Sequence, residues 1–190
     1  MSTVTTAVAT TWAVDSSHSV AEFAVRHMMI STVKGHFANV TGTLAGDERD
    51  AEHASIELTI PVAGIDTREP KRDAHLRSGD FFDADRFPNI HFRSHRITRL
   101  ATDKFSVTGD LTIRDITRPV VLSVESGGSG HDPWGGERIG FSASTTINRQ
   151  DFGLHWNQAL ETGGVLVGND VKISVDLELL KLAPAGTNGR

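Results

Sequence analysis

Apolar and polar residues alternate through most of this 190-residue chain, the two-residue period of half-buried β-strands. The clearest case is Phe105 to Ile113, where Phe105, Val107, Leu111 and Ile113 oppose Ser106, Thr108, Asp110 and Thr112. Gly109 falls on the apolar side of that strand and leaves room there. From Val171 to Leu179, Val171, Ile173, Val175, Leu177 and Leu179 oppose Lys172, Ser174, Asp176 and Glu178. Shorter runs repeat the pattern. Phe23, Val25 and His27 share a face, as do Ile56, Leu58, Ile60 and Val62. Ile90 and Phe92 pair in phase, and so do Phe141, Ala143, Thr145 and Ile147. Lys34 to Leu44 is predicted as a strand, with Gly35 and Gly42 as points of bulging or close approach. Met28-Met29-Ile30 extends the apolar content ahead of it. Turns are predicted at Gly46–Asp50, at Arg114–Pro119 and in the glycine-rich run Gly127–Gly136, and Asp151–Gly168, with Phe152 and Trp156, has no period. The total is about eight strands with short antiparallel links, which fits an all-β sandwich or an up-and-down barrel. An eight-stranded barrel is either filled by its own side chains or holds one small ligand.

One stretch breaks the pattern. Asp66 and Thr67 are N-cap residue types, and Glu69 stands three positions after Asp66, as a capping box requires. Pro70 suits a first helical turn. Ala74 to Arg77 extends a short helix that Ser78-Gly79 ends. Phe81, Phe82 and Phe87 follow closely, in a chain that is only 6% aromatic. A helical, aromatic-rich insert in a β protein is expected to pack as a plug or lid over one end of the fold, with Leu76, Phe81 and Phe82 turned inward.

Composition narrows the function. The formal net charge is -5, which argues against a nucleic-acid backbone as partner. With no cysteine, disulfides, thiolate metal sites and a thiol nucleophile are excluded. No run reaches the length of a membrane span, so stable membrane insertion is not expected. Met1 to Thr11 is Ser/Thr/Ala-rich without a basic or strongly apolar leader, so a cytoplasmic protein is expected. Residues 1–11 and 183–190 read as flexible tails around a single domain over residues 12–182.

Candidate chemistry is sparse. His91 and His95 share a strand face but stand about 13 Å apart at strand rise, too far for one ion, with Arg93 between them. No other histidines show metal-ligand spacing, so no metal is assigned. Asp15-Ser16-Ser17-His18 holds the residue types of a hydrolase triad, but neighbours on an extended chain point apart. His27 and Arg149 are in phase with apolar faces. Each is either a satisfied structural or strand-end group, or a contact for the polar head of a ligand.

The chain resembles the YceI-like family. The shared motifs include Asp15-Ser16-Ser17-His18-Ser19 leading to Phe23, Val25 and His27, then Val33-Lys34-Gly35 with Phe37, and Ile65-Asp66-Thr67. The most specific block is Arg72-Asp73-Ala74-His75-Leu76-Arg77-Ser78 with Asp80-Phe81-Phe82-Asp83 and Phe87-Pro88. Gly109-Asp110-Leu111-Thr112-Ile113, Thr117-Arg118-Pro119-Val120 and Arg149-Gln150-Asp151-Phe152-Gly153 complete the series. The resemblance implies a lipocalin-like antiparallel β-barrel that binds an isoprenoid lipid, of quinone or polyprenyl phosphate type, without catalysis or a cofactor. The expected lining is Phe23, Val25, His27, Phe37, Ile56, Leu58 and Ile60, with Leu76, Phe81 and Phe82 from the plug. Phe92, Phe105, Val107, Leu111, Ile113, Phe141, Ile147, Arg149 and Trp156 complete the expected ligand site. A homodimer is implied by resemblance alone. The rival readings are an enzyme using His75 or Asp73 with Arg72, and a structural or stress-response module whose barrel is self-filled.

Overall fold

The alternating segments pair into one antiparallel sheet that closes on itself. A computed structural model describes residues 10–47, 50–161 and 163–183. The strands are β1 (Thr10–Val14), β2 (Val20–His27), β3 (Ser31–Phe37), β4 (Thr41–Asp47), β5 (Asp50–Pro61) and β6 (Ile65–Asp66). After helix α1 (Pro70–Arg77) come β7 (Asn89–Arg99), β8 (Lys104–Ile113), β9 (Ile116–His131), β10 (Glu137–Asn148) and β11 (Val167–Lys181). Hydrogen-bonded neighbours run β1-β4-β5-β7-β8-β9-β10-β11, and β11 returns to β1, giving an eight-stranded closed barrel.

β11 is long enough to serve two partners. Its last residues pair with β1, and its first two-thirds pair with β2. β1 and β2 therefore form one line of the barrel, broken by the turn at residues 15–19. β3 and β4 form the neighbouring line, broken around Asn39 in the left-handed region (φ 61°) and the fully buried Val40. The predicted strand Lys34–Leu44 is thus two strands, because the backbone must bend where the line changes partners. β4 pairs along β5, whereas β3, paired with β2 on one side, meets only the two-residue β6 on the other.

The connection from β5 to β7 covers this end. A short 3-10 turn (Val62–Gly64) leads into it, and Val62 N–H donates to the Pro88 carbonyl, so the segment starts and ends side by side. Glu69, not Asp66 or Thr67, is the N-cap of α1: its carboxylate accepts from the Lys71 and Arg72 N–H groups, with Pro70 following in the first turn. Asp66 caps the preceding bend instead, accepting from Arg68 N–H at 2.6 Å. Thr67 is buried and donates its backbone N–H to Asp73 at 2.9 Å. Arg72 binds Thr67 through Nε to Oγ1 and Nη2 to the carbonyl, and Arg77 reaches the Ile65 carbonyl at 3.0 Å. The charges of the plug are therefore its hydrogen-bonded frame.

Three segments differ from the sequence pattern. Met28-Met29-Ile30 is not strand but a tight hairpin turn, with φ of 51° at Met28 and 61° at Met29, and Ile30 N–H donating to His27. Its side chains are exposed. The Arg114–Pro119 turn shrinks to Arg114-Asp115, because β9 begins at Ile116. Most of the glycine-rich run is strand: β9 extends to His131, and the turn spans only 132–136. Of the predicted charged turn, Glu48 and Arg49 lie outside the described residues, as do residues 1–9 and 184–190 of the predicted tails. Thr10 and Thr11, also assigned to a tail, belong to β1.

Candidate ligand-binding cavity

The inward faces of the strands enclose two unlike halves. Toward the hairpins β4–β5, β7–β8 and β9–β10 the barrel holds a cavity of about 360 Å³. Its wall is apolar, with Ile56 and Leu58 from β5, Ile97 from β7, Phe105 and Val107 from β8, and Phe141 from β10. Polar groups stand at the hairpin ends: Thr43, Arg99, Thr102, Ser126, Ser129 and Glu137. The Arg99 guanidinium lies 5.1 Å over the Phe105 ring, and Lys181 pairs with Glu137 at 2.9 Å. A polar rim thus surrounds an apolar interior, an arrangement suited to a ligand with an apolar body and a polar end.

The cavity does not run the length of the barrel. Along β8 the lining stops at Val107, and Leu111 and Ile113 are buried in a packed cluster with Phe37, Ile65, Phe81 and Phe152. The boundary is the Phe92 ring, which lines the cavity and lies across Gly109. A Cβ on Gly109 would stand 2.6 Å from the Phe92 Cζ, so only glycine admits the ring there. Gly35 makes the same allowance for Phe23, whose Cζ would be 2.5 Å from an added Cβ.

This architecture is found among known proteins. The YceI-like domain family matches residues 12–179. The chain belongs to the YceI-like family. A UPF0312 protein of Staphylococcus aureus strain N315 is 39% identical over 170 residues, covering 89% of this chain and 96% of that one. The Campylobacter jejuni YceI protein superposes with a TM-score of 0.71 at 30% identity, over 83% of this chain and 90% of the other. BcnA of Burkholderia cenocepacia superposes with a TM-score of 0.76 at 25% identity, over 87% and 98% of the two chains. A polyisoprenoid-binding domain of Saccharophagus degradans, 13% identical, shares the fold with a TM-score of 0.66 over 90% and 98%.

The family motifs sort between the two halves. Of the residues expected to line a ligand site, Ile56, Leu58, Phe92, Phe105, Val107 and Phe141 face the cavity. Phe37, Phe81, Leu111, Ile113 and Ile147 are instead buried in the packed half, with Phe23, Ile60, Leu76, Phe82 and Trp156 packed against it. Phe37 holds Phe82 edge-on at 5.7 Å, and Trp156 holds His75 edge-on at 4.7 Å and Phe81 at 5.3 Å. Val25 is half-buried between Val33 and Val171, away from the cavity. His27 ends β2 opposite Ser31 and is likewise not in the lining. Leu76, Phe81 and Phe82 belong to the plug, and Phe37 and Trp156 pack against it. The lining also includes Trp12, Leu44, Leu122, Ile139, Val175 and Leu177, which the sequence reading left out. The alternation of β11 marked Val175 and Leu177 as one face, and the phase of Phe141 marks Ile139 two residues earlier. Trp12 carried no periodic signal.

Arg149 is a buried structural cation. Its Nε donates to the Gly168 carbonyl at 2.9 Å, and Nη1 donates to the carbonyls of Leu154 and Trp156. Nη2 makes longer bonds to the Val167 carbonyl and Asn169 Oδ1. Burial pushes its pKa down, yet the fork remains fully engaged with the loop after β10 and the first residues of β11. A ligand head group has no access to these donors.

Asp15, Ser17 and His18 do come together, because the chain turns here rather than extending. Ser17 Oγ donates to Asp15 Oδ1 at 2.6 Å, and His18 Nδ1 lies 3.0 Å from Asp15 Oδ2. The same Nδ1 faces Ser17 Oγ at 3.2 Å, so one ring nitrogen meets both partners and the imidazole does not bridge serine to carboxylate through its two nitrogens as a triad requires. Arg138 bonds Asp15 at 2.7 Å, Glu178 at 2.6 Å and Asp132 at 2.8 Å, tying the turn to the β9–β10 hairpin. Asp15, His18 and Glu178 are close enough to share a cation, but the guanidinium already occupies both carboxylates. Hydrogen bonds from Ser17, Arg138 and His18 hold the Asp15 pKa well below the usual carboxylate range. Among the described residues, no helix is long and apolar enough to cross a membrane.

Proposed function

We propose that this protein is a non-enzymatic carrier or store for an isoprenoid lipid, held with its tail in the open half of the barrel. The observation that carries the reading is the apolar cavity of about 360 Å³ with its polar groups confined to the rim. Burying each methylene-sized group contributes about 0.8 kcal/mol, so ten carbons of tail give roughly 8 kcal/mol before ordering costs. A single head-group hydrogen bond adds only about 1 kcal/mol net. The tail therefore dominates affinity and the rim tunes selectivity. The hydroxyls of Thr43, Thr102, Ser126 and Ser129, with Arg99, suit acceptor oxygens of either a quinone or a phosphate head. The fold shared with a polyisoprenoid-binding domain supports the same class of ligand. The charged residues His75, Asp73 and Arg72, the alternative candidates for chemistry, belong to the plug and do not line the cavity.

Mass spectrometry of an organic extract of natively purified protein tests the reading. The expected result is a stoichiometric isoprenoid. A protein that emerges lipid-free and takes up no prenyl lipid from detergent or vesicles overturns it.

A further inference from the structure

The cavity ends partway along five of the strands that line it. Along β5 the lining includes Leu58 but not Ile60, along β8 Val107 but not Leu111, and along β9 Leu122 but not Val120. Along β10 it reaches Ala143 but not Ile147, and along β11 Val175 but not Ile173. Phe92 lies across this end, 6% exposed, with its ring seated on Gly109. Leu111, Ile113 and Phe37 are buried in the core and do not line the cavity.

We propose that Phe92 is a length gauge, and that the protein selects isoprenoid tails of about three five-carbon units, bound tail-first from the hairpin end. This rests on the isoprenoid reading above and specifies its ligand. The length follows from volume. A dry protein cavity of about 150 Å³ admits one six-carbon ring, so a space of about 360 Å³ admits about fourteen carbons. Carbons beyond that number stay at the rim or in water and gain little from burial. The close packing of the lower half sets the limit, because opening it would forfeit contacts throughout the buried cluster.

The test is a binding series with prenyl alcohols of ten, fifteen, twenty and forty-five carbons, read by displacement of a fluorescent apolar probe. Wild-type affinity is expected to rise at least about tenfold from ten to fifteen carbons and to level off beyond, since only buried methylenes contribute. In Phe92→Ala the rise is expected to continue to twenty carbons. In Val107→Phe, which raises the floor, it is expected to end at ten. If Phe92→Ala fails to fold, Val107→Phe decides alone, and an unchanged length profile in that folded variant overturns the gauge. An affinity that keeps rising to forty-five carbons, or is equal for all four alcohols, overturns the gauge while leaving isoprenoid binding intact. Failure of folded wild-type protein to bind any of the four overturns both.

Discussion

Replacing Arg149 by methionine isolates what a buried cation contributes to this fold. The side chain is 3% exposed and bonds four main-chain carbonyls and the Asn169 amide oxygen. Three of these bonds are short, and charged hydrogen bonds contribute about 1.5–3 kcal/mol each. Methionine removes them, strands the Leu154 and Trp156 carbonyls, and relieves the burial cost of the guanidinium. The net is expected near 3–5 kcal/mol of destabilisation, the range for breaking a buried charged arrangement. With a urea dependence of about 2 kcal/mol per molar, the unfolding midpoint should fall by about 2 M at unchanged slope. Arg149→Lys keeps the charge but cannot span five acceptors, so its midpoint should fall about half as far. Because Arg149 stands outside the cavity lining, the lysine variant should bind prenyl lipid within about twofold of wild type, for a difference of under about 0.4 kcal/mol. A midpoint loss in Arg149→Met worth less than about 1 kcal/mol would refute the structural account. So would a tenfold loss of lipid affinity in folded Arg149→Lys.

Three further outcomes are expected. Met28-Met29 holds two non-glycine residues at positive φ in a hairpin turn, so Met28→Asn with Met29→Gly should stabilise the protein by about 1 kcal/mol in urea melts, and no gain would count against strain there. Ala143→Phe places a ring in the cavity wall, and isothermal titration should show lipid binding lost while the melting temperature holds or rises; retained affinity would argue against the cavity as the site. The Asp15 carboxyl is held below its ordinary pKa by Ser17 and Arg138, and that of Asp132 by Arg138 and the Gly136 N–H, so their contribution is present above the unfolded value near 4 and is lost progressively as pH falls from there through the lowered folded values. Urea midpoints of wild type should therefore drop between about pH 5 and pH 2, and those of Arg138→Met should drop less; equal slopes would discount the cluster.

Much of the barrel was legible because a strand writes its two faces into alternate residues. β8 and β11 follow their predicted phases throughout, and the Asp66–Phe92 segment forms the predicted helix over one end. Periodicity does not tell how far along a strand the inward face stays empty. Val107 and Leu111 share one phase, yet one lines the cavity and the other the solid core, because Phe92, a neighbour only in space, lies between them. The same limit explains Phe37 and Ile147, which are buried in the core without lining the cavity. The Glu69 cap was missed because Asp66 and Thr67, better capping types, serve other bonds: Asp66 to Arg68, Thr67 to Asp73. The triad-like residues at 15–18 carry no periodic signal of the turn that brings them together.

The break between β3 and β4 leaves the barrel with a seam. Around the hairpin end, β4 binds β5 over most of its length and the ring of backbone bonds is complete. At the other end β3 holds only two residues of β6, and the gap is spanned by the plug. Such a cylinder resembles a cask whose hoops are continuous at one end and latched at the other. When it loosens, the latch should slip first. In native-state hydrogen exchange, amides of β3, β6 and α1 should then open together at lower free energy than those of β8 and β10. Mechanical pliancy and lipid access would therefore reside at opposite ends of one closed sheet.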